Sequence, residues 1–119
     1  MKTVLAGGVF DLWHEGHRYF LQEAKKLGDE LVVVVANDAS VKKKINNKQA
    51  ARANIVRQQG IADRVVIGDA KDFMKTVRKI RPNVIALGYD QKNPVLESGI
   101  KVVRIKKFGD YSSSKLRKK

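Results

Sequence analysis

Two histidines, His14 and His17, are the only ones in the chain, and both stand in the stretch Gly7-Gly8-Val9-Phe10-Asp11-Leu12-Trp13-His14-Glu15-Gly16-His17. An imidazole can donate a hydrogen bond, accept one, carry a proton near neutral pH or bind a metal. Three residues apart, the two rings share one face wherever a helix has begun. The stretch follows the apolar run Val4-Leu5-Ala6 and opens a helical pattern that continues to about Leu27. A strand, a glycine-bearing turn and a helix start in succession make an anion site. The first helical N–H groups have no carbonyl partner, and the macrodipole adds positive charge there. Ordinary surface or core histidines are one competing reading, and a metal pair is another. No cysteine and no third histidine exist to complete a usual zinc shell. The stretch therefore reads as phosphate-binding with catalytic imidazoles, and no protein metal site is expected.

The elements that must position these residues follow from periodicity. Residues 2–6 and 31–36 are apolar without alternation, as strands buried on both faces are. The segment from about Gly16 to Leu27 puts Phe20, Leu21, Ala24 and Leu27 on one helical stripe, with Gly28 placed to stop it. Two such strands joined by a helix make a right-handed βαβ unit, so the sheet should be parallel. Its carboxyl edge, where ligands bind in open α/β sheets, receives Asn37-Asp38. A helix over about 49–59 has Ala51, Ile55 and Val56 as a thin apolar face, with Arg52 in its first turn, near the mouth. A third strand is expected at 65–67. Asp69 then caps a helix to Ile80 with Phe73, Val77 and Ile80 buried. A fourth strand, 84–87, delivers Gly88-Tyr89-Asp90-Gln91 to the carboxyl edge, and a fifth spans 101–105. Ser112-Ser113-Ser114 reads as the cap of a final helix. The expected fold is α/β, a single Rossmann-like domain over residues 1–119 with a five-stranded parallel sheet flanked by helices.

Composition narrows the function classes. Without cysteine there is no disulfide framework or thiol chemistry, and an intracellular setting is the easier reading. The longest apolar run, Leu31 to Ala36, is too short to span a bilayer, and the N-terminus enters a strand without a signal-peptide core. A soluble, cytoplasmic protein is expected. Twenty-five Lys+Arg against twelve Asp+Glu give a net charge of +13. The clusters Lys42–Lys44 with Lys48, Lys101–Lys107 and Lys115–Lys119 suit polyanionic partners, either nucleic acid or phosphorylated small molecules. Those clusters are not interleaved with aromatics, so a non-catalytic nucleic-acid-binding module is the remote alternative.

Gly8-Val9-Phe10-Asp11 followed by His14-Glu15-Gly16-His17, directly after a first strand, resembles the G-x-F-D turn and HxGH signature of nucleotidyltransferases that include cytidylyltransferases and archaeal FAD synthases. The resemblance extends over nearly the whole chain, through Gly68-Asp-Ala-Lys-Asp-Phe73 and Val84–Gln91. It implies transfer of AMP from ATP to a phosphorylated acceptor with release of pyrophosphate, most closely FMN to FAD. Glycerol-3-phosphate cytidylyltransferases and heptose-phosphate adenylyltransferases share the same signatures. Under it, His14 and His17 donate hydrogen bonds to charge on the transferring phosphate, while Gly8, Val9, Phe10 and Gly16 hold the triphosphate with a Mg²⁺ or another divalent cation.

Tyr89 and Asp90 meet the nucleotide under the same resemblance. The family's basic residue after the second strand is one of Lys42, Lys43 and Lys44, with Lys44 the candidate. Arg52 keeps the family's spacing to Asp63, and Arg52 and Lys107 are expected to contact phosphate. Ser113 and Ser114 resemble the hydroxyls of the family's R-x-x-x-I-S-[ST]-[ST]-x-I segment. Here Lys107, Tyr111 and Leu116 replace its Arg and two Ile residues, and Lys lacks the bidentate fork of Arg. The cysteines that some archaeal relatives carry near the C-terminus are absent. A homodimer is compatible with the resemblance.

Overall fold

The computed structural model describes residues 1–42, 44–89, 91 and 99–106. Along them run β1 (Thr3–Gly8), α1 (Glu15–Lys25), β2 (Glu30–Val35), a short 3-10 turn (Asp38–Ser40), α2 (Gln49–Gln58), β3 (Arg64–Ile67), α3 (Phe73–Ile80), β4 (Val84–Leu87) and β5 (Lys101–Arg104). The strands form one sheet in the order β3-β2-β1-β4-β5, and every neighbouring pair is parallel. This is the expected Rossmann-like architecture. The order reverses direction between β1 and β4, which makes the carboxyl ends of those two strands the topological switch point.

Strand alternation divides the core in two. Val4, Ala6, Leu31, Val33 and Val35 pack with Leu21 and Ala24 of α1 and Ala53 and Val56 of α2. Leu5, Val34, Ile85 and Leu87 face the other way, onto Val77 of α3. Covering both faces is what lets the apolar runs of β1 and β2 be continuous, since each fully buried Val or Leu contributes about 1.5–3 kcal/mol. No helix among the described residues is long and apolar enough to cross a membrane.

Four local expectations are corrected. Helix α1 ends at Lys25 with Lys26 as a right-handed cap, and Gly28 is not a left-handed stop. Gly28 is instead needed for close approach, because a Cβ there would lie 2.8 Å from the Lys2 carbonyl oxygen and from Val4 Cγ2. Helix α3 is capped by Asp72, whose carboxylate accepts the Met74 N–H, while Asp69 accepts the N–H groups of Lys71 and Asp72 one turn earlier. The buried face of α2 is Arg52, Ala53 and Val56, with Ala51 outside. Phe73, expected in the core, is 38% exposed at the carboxyl edge.

Candidate active site

The turn between β1 and α1 is built by a few tight contacts. Phe10 is buried and adopts φ 55, an uncommon backbone state for a residue with a side chain. Its ring folds back over Gly8, where a Cβ would meet it at 2.9 Å. The glycine of the HxGH segment has a similar reason: a Cβ on Gly16 would lie 2.8 Å from the His14 ring. His14 is the N-cap of α1. Its Nδ1 accepts the Gly16 N–H at 3.0 Å, and the His14 N–H donates to Nδ1 of His17 at 3.2 Å. The two residues thus form a reciprocal capping box made of imidazoles, with rings stacked at 3.9 Å between centroids.

This box settles the chemistry of both rings. A nitrogen that accepts an N–H bears no proton, so each neutral imidazole carries its hydrogen on Nε2 and presents it as a donor. His17 also packs against Trp13 and Phe10, with centroids 5.4 and 5.3 Å away. Burial, reinforced by the neighbouring His14, lowers its pKa to about 4, so it is a neutral donor at physiological pH. One expectation changes as a result. The Gly16 N–H is taken by His14, so the helix start offers imidazole N–H donors where main-chain amides were expected.

A cavity of about 1020 Å³ opens in front of this pair, lined by Gly7 to Leu12, His14 to His17, Lys44, Gly88 and Tyr89 among others. Leu12 and Tyr89 are 62% and 52% exposed beside it, apolar surface of the kind a base can cover. Of the basic residues after β2, Lys44 reaches the cavity. It is brought there by Asp11, whose carboxylate accepts both main-chain N–H groups of Asn46 and Asn47 at 2.8 Å and the Asn46 side-chain amide at 3.0 Å. These bonds, the Asn46 main-chain N–H foremost, hold the Asp11 carboxyl below its ordinary pKa. Asp11 is a site residue that the sequence reading left without a role.

Arg52 is not at the cavity. Its side chain is fully buried, with Nε donating to the Asn47 carbonyl at 2.9 Å, one Nη to the Val9 carbonyl at 3.0 Å and the other to Asp38. It braces the turn from behind and has no donor aimed at a ligand. Asp63 is remote from it, pairing with Lys25 and accepting the Leu31 N–H at 2.7 Å near the start of β2. Asp90, Lys107, Ser113, Ser114 and Lys43 lie outside the described residues.

A second cavity, about 440 Å³, lies across the sheet edge. Its floor includes Leu5, Val34, Ile85 and Leu87, with Phe73 at its side and Asn37, Ser40, Lys71 and Asp72 at its rim. Gly7, Gly8, Val9 and Gln91 border both cavities. Among the described residues no group of three or more His, Cys, Asp or Glu side chains could hold a metal ion.

The model of the cytidylyltransferase-like family matches residues 5–119. The chain belongs to that family. Among its similar cytidylyltransferase-like proteins, an FAD synthase of Aciduliprofundum boonei is 45% identical over 99% of this chain and 87% of its own. An FAD synthase of Thermoplasma volcanium is 42% identical over the whole of this chain and 94% of its own. The crystal structure of a lipopolysaccharide core biosynthesis protein from Thermoplasma volcanium GSS1 superposes with a TM-score of 0.84 at 39% identity. It covers 91% of this chain and 98% of that one. A protein of unknown function from Archaeoglobus fulgidus, 19% identical with a TM-score of 0.69, shares the fold.

Proposed function

We propose that this cytidylyltransferase-like protein is an FAD synthase that transfers AMP from ATP to FMN. The observation that carries the reading is the pair of imidazoles lining the first cavity, each with Nδ1 committed to the helix cap, beside a rim of main chain that the second cavity shares. A nucleoside triphosphate suits the larger cavity in size. FMN suits the smaller one, where apolar residues and the exposed Phe73 ring offer a surface for a flat heterocycle and Lys71 a charge for its phosphate.

The step is a direct displacement. A phosphate oxygen of FMN bonds to the α-phosphorus of ATP, the bond from that phosphorus to the bridging oxygen breaks, and pyrophosphate leaves. An acceptor that is already a phosphate has no hydroxyl proton to lose, so no general base is required. His14 and His17 donate Nε2–H to charge on the α-phosphate and the leaving oxygen, and Lys44 supplies a positive charge. The described residues offer no cage for Mg²⁺. Asp11, a carboxylate at the cavity, is already occupied by amide donors. A divalent cation, if it came with the nucleotide, would add positive charge to the triphosphate without Asp11 as its ligand. Both substrates are cytoplasmic metabolites, which supports a cytoplasmic site of action.

The test is a product assay of the purified chain with ATP, FMN and Mg²⁺, resolving FAD by chromatography and measuring pyrophosphate. FAD and pyrophosphate in equal amounts are expected. The likeness to a lipopolysaccharide core biosynthesis protein favours one second reading, a sugar-phosphate acceptor. Product from ATP and a heptose phosphate, with none from FMN, would decide for it. Product from CTP and glycerol 3-phosphate alone would identify a cytidylyltransferase. A homodimer is likewise a proposal, read by light scattering.

A further inference from the structure

We infer that Gln91 is a positioning residue that holds strands β1 and β4 apart at the switch point, so that the two cavities open onto one another. This rests on the reading of the cavities as the two substrate sites. The argument begins with strand alternation. The Ala36 N–H donates to the Gly8 carbonyl at 2.9 Å, so residue 8 turns its polar groups toward β2 and residue 7 toward β4. The Ile105 N–H donates to the Leu87 carbonyl at 2.7 Å, so residue 87 faces β5 and residue 88 faces β1. The ladder between β1 and β4 pairs Val4 with Val84, Leu5 with Ile85 and Ala6 with Ala86. In that register the next rung is a bond from the Gly88 N–H to the Gly7 carbonyl. On the other side of β1 the ladder with β2 continues through Gly7 and Gly8.

That rung is replaced by a side chain. The Gly88 N–H donates to Gln91 Oε1 at 2.8 Å, and Gln91 Nε2 donates to the Gly7 carbonyl at 2.9 Å. The Gln91 amide is thus a surrogate peptide group inserted between the two strands, satisfying the donor of one and the acceptor of the other while keeping them a full amide apart. Its orientation is forced, because an N–H needs an oxygen and a carbonyl needs an N–H. The residue is itself fastened from β5: Arg104 Nη1 donates to the carbonyls of Gly88 at 2.7 Å and Gln91 at 2.6 Å. The parted strand ends are where both cavities meet, and Gln91 lines each. Without the amide, β1 and β4 can zip one rung further and narrow the passage through which an acceptor phosphate must approach the α-phosphorus.

Two substitutions test this. Gln91→Leu removes both bonds, and turnover at saturating ATP and FMN should fall at least tenfold, with a smaller change in the KM for ATP and in the melting temperature. Gln91→Glu is the chemical control. A protonated carboxyl reproduces the amide, its O–H donating to Gly7 and its C=O accepting from Gly88, whereas a carboxylate turns lone pairs on the Gly7 carbonyl. The turnover of Gln91→Glu relative to wild type should therefore rise several-fold as pH falls from about 7 to about 5, toward the range where a glutamic acid takes up its proton. Arg104 from β5 and the titratable groups that line the two cavities with Gln91, Asp11, His14, Glu15, His17, Lys44 and Lys106 in the first and Asp69, Lys71 and Asp72 in the second, are common to both proteins, so the ratio isolates residue 91. A flat ratio, or normal turnover in Gln91→Leu, overturns the inference.

A readout independent of the acceptor separates this from the functional proposal. In NMR spectra the Gly88 amide resonance should titrate in Gln91→Glu and stay fixed in the wild type. If the wild type makes no FAD, the functional proposal fails, and the Gly88 titration alone then decides the role of Gln91 at the strand ends: a Gly88 amide that ignores the new carboxyl refutes it.

Discussion

His14 and His17 each commit one ring nitrogen to the cap of their helix and both line the first cavity, so structure and chemistry can be pulled apart one nitrogen at a time. An Asn side chain places an amide oxygen near the position of Nδ1 and nothing at the position of Nε2. His17→Asn should therefore keep the cap to His14 and the melting temperature, yet lower turnover roughly 10²-fold, the scale for losing one preorganised donor. Steady-state kinetics beside a thermal melt checks both halves. Normal turnover in that variant would remove the catalytic role.

The depressed pKa of His17 gives a second prediction. Between pH 6.5 and about 4 the unfolded chain binds a proton at residue 17 that the folded chain does not, so the stability from the neutral, buried ring is full above pH 6.5 and is lost as pH falls toward 4. Denaturant titrations should show that slope, and His17→Asn should lack it. The carboxylates Asp11 and Asp63 are held below 3.8, so their contributions are lost only at lower pH, outside this window.

At the level of elements, the turn after β1 is clamped from two sides. Asp11 draws in the segment before α2, and Arg52 reaches from within α2 to the Val9 carbonyl. Arg52→Met should lower the melting temperature clearly, since it takes away the buried donors on which the Asn47 and Val9 carbonyls depend. A phosphate-binding arginine would behave oppositely, with unchanged stability and weakened ATP affinity, so denaturation and ATP titration together discriminate. Asp11→Asn should raise the KM for ATP several-fold through Lys44 while sparing the strands.

These same places mark how far the sequence was legible. Strand β4 and the parallel sheet could be read from uninterrupted apolar runs, and the histidine pair from its position at a strand-to-helix junction. Arg52 was expected at phosphate on the resemblance and its spacing to Asp63, and neither shows that the carbonyls of Val9 and nearby Asn47 and the carboxylate of Asp38 make its burial tolerable. Gln91 could be placed in the polar turn after β4 but not given its role: its partners, Gly7 and Gly88, become adjacent only when β1 and β4 lie side by side. Asp72 took the cap from Asp69 because two aspartates a turn apart are equal candidates until the loop is built.

Across the whole molecule, a net charge of +13 meets two substrates that are both anions under the proposed reaction. Encounter should be electrostatically assisted, so kcat/KM for ATP is expected to fall several-fold as ionic strength rises from about 0.01 M to about 0.15 M, where the screening length shrinks from about 30 Å to about 8 Å. Turnover at saturation should change far less, and a salt series read by initial rates checks this.

The strip Gly7-Gly8-Val9, common to both cavities, has a consequence for descent within the family. Where the reactants would meet, two of those three positions carry no side chain, so the reacting centre is insensitive to which molecule occupies the smaller hollow. That hollow takes part of its border from the segment after β3, which has no share in the Asp11 and Arg52 clamp on the imidazole-bearing turn. A lineage could thus exchange one phosphorylated acceptor for another by altering that connection.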